Sequence, residues 1–174
     1  RAIPSAIGGD SERRHGIILA KSAPAKAYGV KTGEPLWQAR QKCPGLIVEP
    51  PDYALYVAAS RRFIGLLREL APQVEQYSID EAWADLSGTA RLYGEPLAAA
   101  ETIKNRIRDE LGFTVTIGIS SNKLLAKVAG DLGTPDQVQT LFPEEIAAKM
   151  WPLPVRNLFY VGRATERQLQ MLGI

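Results

Sequence analysis

The sequence predicts an α+β fold: a sheet with helices on one face, flanked by a small α/β lobe and a short helical unit. Three observations carry this. From residue 53 onward, segments of helical period and of period two follow in the order helix, strand, strand, helix, strand, helix, strand. The first fifty residues are dense in glycine, proline and short apolar runs. The prolines of "WPLPVRNL" set off a final helical stretch. With one more strand ahead of residue 1, the order becomes a split βαβ arrangement.

Taken in order, "RAIPSAIGG" opens as a strand already under way and "HGIILAKS" reads as a buried strand. "PAKAYGV" reads as a short helix closed by Gly29, and "EPLWQARQKCPG" as a helix stopped by Pro44 and Gly45. "LIVEPPDY" is a strand ending at two prolines. From Tyr53 to Leu70, Leu55, Val57, Ala58, Phe63, Leu66, Leu67 and Leu70 recur near the 3.6 period. Arg61, Arg62, Arg68 and Glu69 lie largely opposite, and Pro72 ends the helix.

"QVEQYSIDEAWADLSG" is expected to form two strands joined tightly around Ile79–Ala82. A second long helix starts at Pro96, with Leu97, Ala100, Ile103, Ile107 and Leu111 as its stripe. "FTVTIGIS" alternates strictly, with Phe113, Val115, Ile117 and Ile119 on one face. Ser120 or Ser121 is the expected N-cap of "NKLLAKVAGDL", and "VQTLF" is a last short strand. Thr165 is the expected N-cap and Gly173 the expected C-cap of the terminal helix. Trp37, Trp83 and Trp151 are expected to pack in the core or between domains. Both ends read as cut, so the chain is expected to be a fragment of a longer protein, or its ordered part.

The 174 residues can hold one large domain or two small ones. No apolar run approaches the roughly 18–20 residues that cross a bilayer. No secretory signal is read at the front, and the lone Cys43 cannot form an internal disulfide. A reducing compartment, the cytoplasm, is therefore expected, with no membrane partner. A net charge of +2 does not by itself announce a nucleic-acid binder. Its distribution is uneven: residues 1–49 carry eight basic and four acidic groups, and the rest thirteen and fifteen. A basic N-terminal lobe suits either a solvated face or a polyanion lying on one side.

Two adjacent carboxylates, Asp80 and Glu81, interrupt a segment of strand character. In a flat strand they would point to opposite faces, so they converge only where the chain bends. A pair at such a bend, joined by a third acid, suits hard divalent cations such as Mg²⁺. Two ions about 4 Å apart stabilise the attacking and leaving oxygens of phosphoryl transfer. An exposed acidic turn is the plain alternative. His15 is the only histidine and reads as a loop residue, not a metal ligand.

"SIDEAWADLSG" followed by "TVTIGISSNKLLAKVAGDLGTPD" resembles the Y-family DNA polymerases, the lesion-bypass enzymes. That family carries S-[IV]-D-E-A-x-x-D in its palm, then a strand "TxxxGISxNKxxAKxA" running into a helix. "ILAKSAPAKAYGVKTGEP" resembles its fingers and "VRNLFYVGRATERQLQMLGI" the start of its helix-hairpin-helix thumb. The fingers wording is closer to the bacterial polymerase V catalytic subunit and its Gram-positive relatives than to the polymerase IV type. The resemblance covers nearly the whole chain. It implies fingers over residues 1–51, a ferredoxin-like palm over 52–150 and the start of the thumb over 151–174.

By that resemblance Asp80 and Glu81 hold two Mg²⁺ ions and carry catalysis. The family's third ligand, an Asp on its first strand, and the ribonucleotide-rejecting aromatic would lie before Arg1. The fragment alone is thus expected to be inactive. Ser78 is expected beside the metal site, and Asp85 as a structural hydrogen-bond acceptor. In the polymerase IV type a Tyr, an Arg and a Lys contact the triphosphate; the matching positions are Ala23, Lys26 and Thr134. Lys26 keeps a charge without the bidentate fork of Arg, and Lys21 and Ser22 join it as nucleotide-binding candidates.

Lys123 and Lys127 share a helix face and, with Gly162, Arg163 and Thr165, are the candidates for holding DNA. The thumb hairpin usually carries Gly-x-Gly, and here its first glycine position is Tyr160. The implied partners are primer-template DNA, deoxynucleoside triphosphates and a sliding clamp reached through a region outside this chain. The implied activity is template-directed synthesis past damaged bases. The alternative is a non-catalytic, polymerase-like adaptor that recruits replication proteins to damage. Retention of Asp80 and Glu81 counts against the adaptor, and the losses at positions 23 and 134 keep it open.

Overall fold

The computed structural model describes residues 3–9 and 16–174. His15, Arg13 and Arg14 lie outside the described residues. The chain divides into two compact units, Arg1–Tyr56 and Val57–Ile174.

The first unit is built on a three-stranded sheet. Its central strand β1 (Ser5–Gly8) pairs antiparallel with β2 (Ile18–Lys21) and parallel with β3 (Ile47–Glu49). Between β2 and β3 lie the short helices α1 (Ala23–Ala27) and α2 (Leu36–Lys42). Ile18, Val30, Leu36, Ala39 and Cys43 form the core of this unit, each large apolar side chain contributing about 1.5–3 kcal/mol on burial. Leu19 and Ala20 face outward, so β2 is not the wholly buried strand its apolar run suggests. It is an edge strand, covered on one side only. Gly29, at φ 79°, follows α1, and the C-cap Cys43 precedes Pro44, as the sequence predicts. Glu34 is buried in this unit; its carboxylate accepts from the Lys31 N–H at 2.9 Å and pairs with Lys42. Burial alone would raise its pKa, but the Lys42 and Lys31 hydrogen bonds outweigh this and hold the carboxyl below the ordinary glutamate range.

The division falls within α3 (Tyr53–Leu70), whose bounds are those read from its period and from Pro72. The second unit continues with β4 (Gln73–Gln76), β5 (Ala82–Asp85), a one-turn helix α4 (Ala90–Tyr93), α5 (Pro96–Leu111), β6 (Ile117–Ile119), α6 (Lys123–Leu132) and β7 (Val138–Thr140). A 3₁₀ turn leads into α7 (Ile146–Lys149), and α8 (Arg163–Met171) ends the chain. Phe63, Ile64, Leu66, Leu67 and Leu70 of α3 pack with Ile103 and Ile107 of α5. Leu55, Val57 and Leu97, assigned to the buried stripes from sequence, are exposed. They lie near the starts of their helices, ahead of the first buried residues, Ser60 in α3 and Ala99 in α5.

The described strands of this unit form two pairs. β4 and β5 are antiparallel, with Gln73 opposite Asp85 and Gln76 opposite Ala82; β6 and β7 are parallel. Of "FTVTIGIS" only Ile117–Ile119 joins a ladder, because its described partner β7 is three residues long. Val115 and Ile117 still turn toward the core. Trp37 and Trp151 are exposed and not core residues; Trp83 is half-buried on β5.

Helix α6 lies directly on β6. A Cβ at Gly118 would stand 2.0 Å from the Ala126 carbonyl oxygen and 2.3 Å from the Gly130 nitrogen, so the helix backbone touches the strand with nothing between. The N-cap of α6 is Asn122, whose side chain accepts from the Leu125 N–H at 2.9 Å, and not either serine. The Ser120 hydroxyl is spent on the Leu141 carbonyl. Gly162, not Thr165, occupies the N-cap position of α8. Its C-terminus closes as expected: Gly173 lies at φ 79°, its N–H donating to Gln170 and that of Ile174 to Leu169, a Schellman arrangement.

Candidate active site

Residues 77–81 form the turn between β4 and β5, so Tyr77 and Ile79 are not ladder residues despite their strand character. One carbonyl closes the turn: that of Glu81 accepts from the N–H groups of Tyr77 at 3.0 Å and Ser78 at 3.1 Å. Asp80 and Glu81 therefore leave the ladder geometry that would send them to opposite faces. The Ser78 hydroxyl donates to Asp80 Oδ1 at 2.8 Å, fixing that carboxylate against its own turn. Asp80 is exposed, and Glu81 keeps 41% of its side chain accessible.

The other wall is α6. Lys127 Nζ donates to Glu81 Oε1 at 3.0 Å and to Asp131 Oδ1 at 2.9 Å. Burial opposes the ammonium, but the hydrogen bonds it donates to Asp131 and Glu81 prevail and raise the Lys127 pKa. One turn earlier, Lys123 Nζ pairs with Glu75 on β4 at 2.5 Å and stands 5.5 Å from the centre of the Trp83 ring. The Trp83 indole N–H donates to the Lys123 carbonyl at 3.1 Å. The two lysines proposed to hold DNA are thus both engaged with carboxylates. Asp85 accepts from Ser87, which lowers its pKa, and so takes the structural role expected of it.

The candidate DNA residues of the last helix lie at its start. Gly162 caps α8, and Arg163 and Thr165 follow exposed in the first turn, where backbone N–H groups have no intrahelical acceptor. Tyr160, two residues earlier, has φ 67°. Its hydroxyl accepts from Tyr77 at 3.0 Å, and this hydrogen bond raises the Tyr77 pKa.

The nucleotide candidates lie in the first unit and stand on their own. The Ser22 hydroxyl caps α1, accepting from the Ala25 N–H at 3.3 Å and the Ser5 N–H at 2.9 Å. Lys21 Nζ donates to the Thr32 hydroxyl at 3.0 Å, while Lys26 is exposed on α1. Ala23 and Thr134, where the polymerase IV type has contacting side chains, are both exposed.

Among the described residues, no group of three or more His, Cys, Asp or Glu is placed to share a metal ion. Asp80 and Glu81 are two hard oxygen donors on one exposed turn, a donor set that fits part of a Mg²⁺ shell completed by water and phosphate oxygens. Sequence reasoning missed Glu75, Asp131, Tyr77 and Phe159 as neighbours of this turn. Only Asp131, four residues after Lys127 on one helix, carried a readable signal.

Comparison with known proteins bears on the family and the fold. The impB/mucB/samB family matches residues 1–131, and the IMS family HHH motif matches residues 143–174. DNA polymerase IV of Clostridium acetobutylicum is 51% identical over 174 residues, all of this chain and 44% of that protein. DNA polymerase IV of Moorella thermoacetica is 44% identical over 175 residues, again 44% of its length. The insertion ternary complex of Dbh DNA polymerase superposes with a TM-score of 0.89 at 30% identity, covering 98% of this chain and 51% of that one. DinB from Sulfolobus solfataricus gives 0.87 at 30% identity, covering 99% and 51%. The fold is that of the Y-family DNA polymerases. The chain belongs to the impB/mucB/samB family, and it spans about half the length or less of the relatives it matches.

Proposed function

We propose that a protein carrying this chain is a DNA-directed DNA polymerase that extends a primer past damaged template bases. The observation that carries this reading is the pair Asp80–Glu81 on the β4–β5 turn, each carboxylate already held by its own partner, Ser78 or Lys127. Asp80 and Glu81 would hold two Mg²⁺ ions together with a third carboxylate outside this chain. Such ions supply positive charge to the attacking 3′-hydroxyl oxygen and to the leaving pyrophosphate.

The chain's own residues orient and bind. Ser78 aims the Asp80 carboxylate, and Lys127 restrains Glu81. Lys26, with Lys21 and Ser22 beside it, offers the fingers' positive charge to the triphosphate, weaker than the guanidinium of the polymerase IV type. The free N–H groups following Gly162, with Arg163 and Thr165, offer a phosphate contact that positions DNA without reading sequence. Lys123 and Lys127 reach DNA only by exchanging their carboxylate partners. Localisation in the cytoplasm and recruitment by a sliding clamp, through a region outside this chain, belong to the same reading. The finer kinship with the polymerase V catalytic subunit rests on the fingers wording alone; the relatives reported above carry the name DNA polymerase IV.

The test is primer extension by the intact parent protein with Mg²⁺, on undamaged and abasic templates, beside an Asp80→Ala, Glu81→Ala double variant. Extension by the wild type that disappears in the variant is expected. A folded parent that binds primer-template yet never extends it, even with Mn²⁺, would hand the reading to the recruiting adaptor.

A further inference from the structure

Tyr160 carries a side chain at φ 67°, in the left-handed region that favours glycine. Such a residue persists where its surroundings hold it. What holds it is a cluster of rings on the carboxylate turn. The Phe159 ring lies 4.2 Å from that of Tyr160, 5.6 Å from Tyr77 and 6.4 Å from Trp83, centre to centre. Tyr77 packs on Trp83 at 5.0 Å and donates its hydroxyl hydrogen to Tyr160.

The cluster reaches the carboxylate turn at two points. Tyr77 begins the turn and is tied by its N–H to the Glu81 carbonyl. The Phe159 ring receives Lys127 Nζ at 5.8 Å from its centre, the same ammonium that pairs with Glu81. Through Tyr77 and through Lys127, the segment before α8 thus touches the turn at its backbone and at one carboxylate.

We propose that Phe159 and Tyr160 are positioning residues for the carboxylate turn. Their docking holds Tyr77 and Lys127 in place, and this fixes Glu81 in the geometry that receives a divalent cation. The strained φ of Tyr160 is the structural cost of placing its ring and hydroxyl there. A glycine would adopt that backbone freely but would carry neither. The inference rests on the metal-binding role given to Asp80 and Glu81 above.

The experiment uses the intact parent protein with Trp37, Trp151 and any tryptophan outside this chain replaced by phenylalanine, leaving Trp83 as the fluorescent reporter. Mn²⁺ is titrated against Trp83 emission, and the Mg²⁺ dependence of primer extension is measured in parallel. Tyr160→Gly and Phe159→Ala are expected to raise the half-saturating metal concentration about 10-fold in both assays, the usual scale for a ligand's supporting residue. The rate at saturating metal should remain close to wild type. Tyr160→Phe, which keeps ring and backbone but loses the hydroxyl, should fall between. Thermal melting identifies any variant that fails to fold, and Tyr160→Phe, the mildest, carries the test in that case.

Wild-type metal dependence in folded Tyr160→Gly and Phe159→Ala would overturn the proposal, as would tighter metal binding. A wild type that binds Mn²⁺ but extends no primer would sink the polymerase reading, and the fluorescence titration would still decide this one.

Discussion

Lys127 and Glu81 form an ion pair at 3.0 Å that joins helix α6 to the turn carrying the carboxylate pair. Asp131 shares the same ammonium at 2.9 Å. Lys127 keeps 21% of its side chain accessible and Glu81 41%, so solvent screens the pair in part. Lys127→Met removes one charged donor from two acceptors that are both partly exposed and should lower stability by about 0.5–1 kcal/mol. Urea unfolding checks this, and an unchanged midpoint would mean that both carboxylates are served equally well by water.

Glu34 makes the first unit sensitive to acid. Its carboxyl is held below the ordinary glutamate value of 4.5, so the stabilisation is complete above that pH and is lost as pH falls through the lower folded value. Wild type should therefore lose stability on acidification below pH 4.5 faster than Glu34→Gln, which has no carboxylate to protonate. At neutral pH the variant should be less stable by about 1–2 kcal/mol, since Lys42 can turn to solvent when its partner is gone. Parallel unfolding curves at all pH values would contradict this.

Two glycines in contact should respond in opposite ways. Gly118→Ala drives a Cβ into the backbone of α6 and should cost about 3 kcal/mol or more. Gly130→Ala meets no heavy atom closer than 3.6 Å and lies inside a helix, so it should be neutral or stabilise by up to about 1 kcal/mol. Thermal melting of the two variants side by side is the measurement.

Asn122→Ala removes the only side-chain cap of α6 and should cost about 1 kcal/mol. Ser121→Ala should cost nothing measurable if the cap is Asn122 alone. Equal losses in the two variants would return the cap to the serines.

The long elements were legible because their signals are local. The bounds of α3 follow from a seven-residue apolar stripe and a proline, and the Schellman end of α8 from one glycine. The carboxylate pair was legible through its motif, and its turn through the argument that two adjacent acids converge only at a bend. Where that turn begins was not legible, because Tyr77 and Ile79 suit a strand equally well. What removes them from the ladder is a single carbonyl at Glu81 taking two N–H groups. The cap of α6 was misread because three consecutive polar residues are all competent, and only tertiary contact commits Ser120 to Leu141. The left-handed Tyr160 and the Lys123–Glu75 pair join distant segments, and no window along the chain contains both partners.

The bare contact at Gly118 has a consequence for how this protein can change over generations. Most helices rest on sheets through a layer of side chains, and swapping one apolar residue for another shifts the helix by small steps. Here the layer is absent at one point, so α6 rests on its strand at a spacing set by van der Waals contact between the two backbones. Substitutions on the outer face of α6 can accumulate without moving Lys127 relative to Glu81. Substitutions that respect the Gly118 contact are therefore expected to alter the side chains that α6 displays before they alter where it lies.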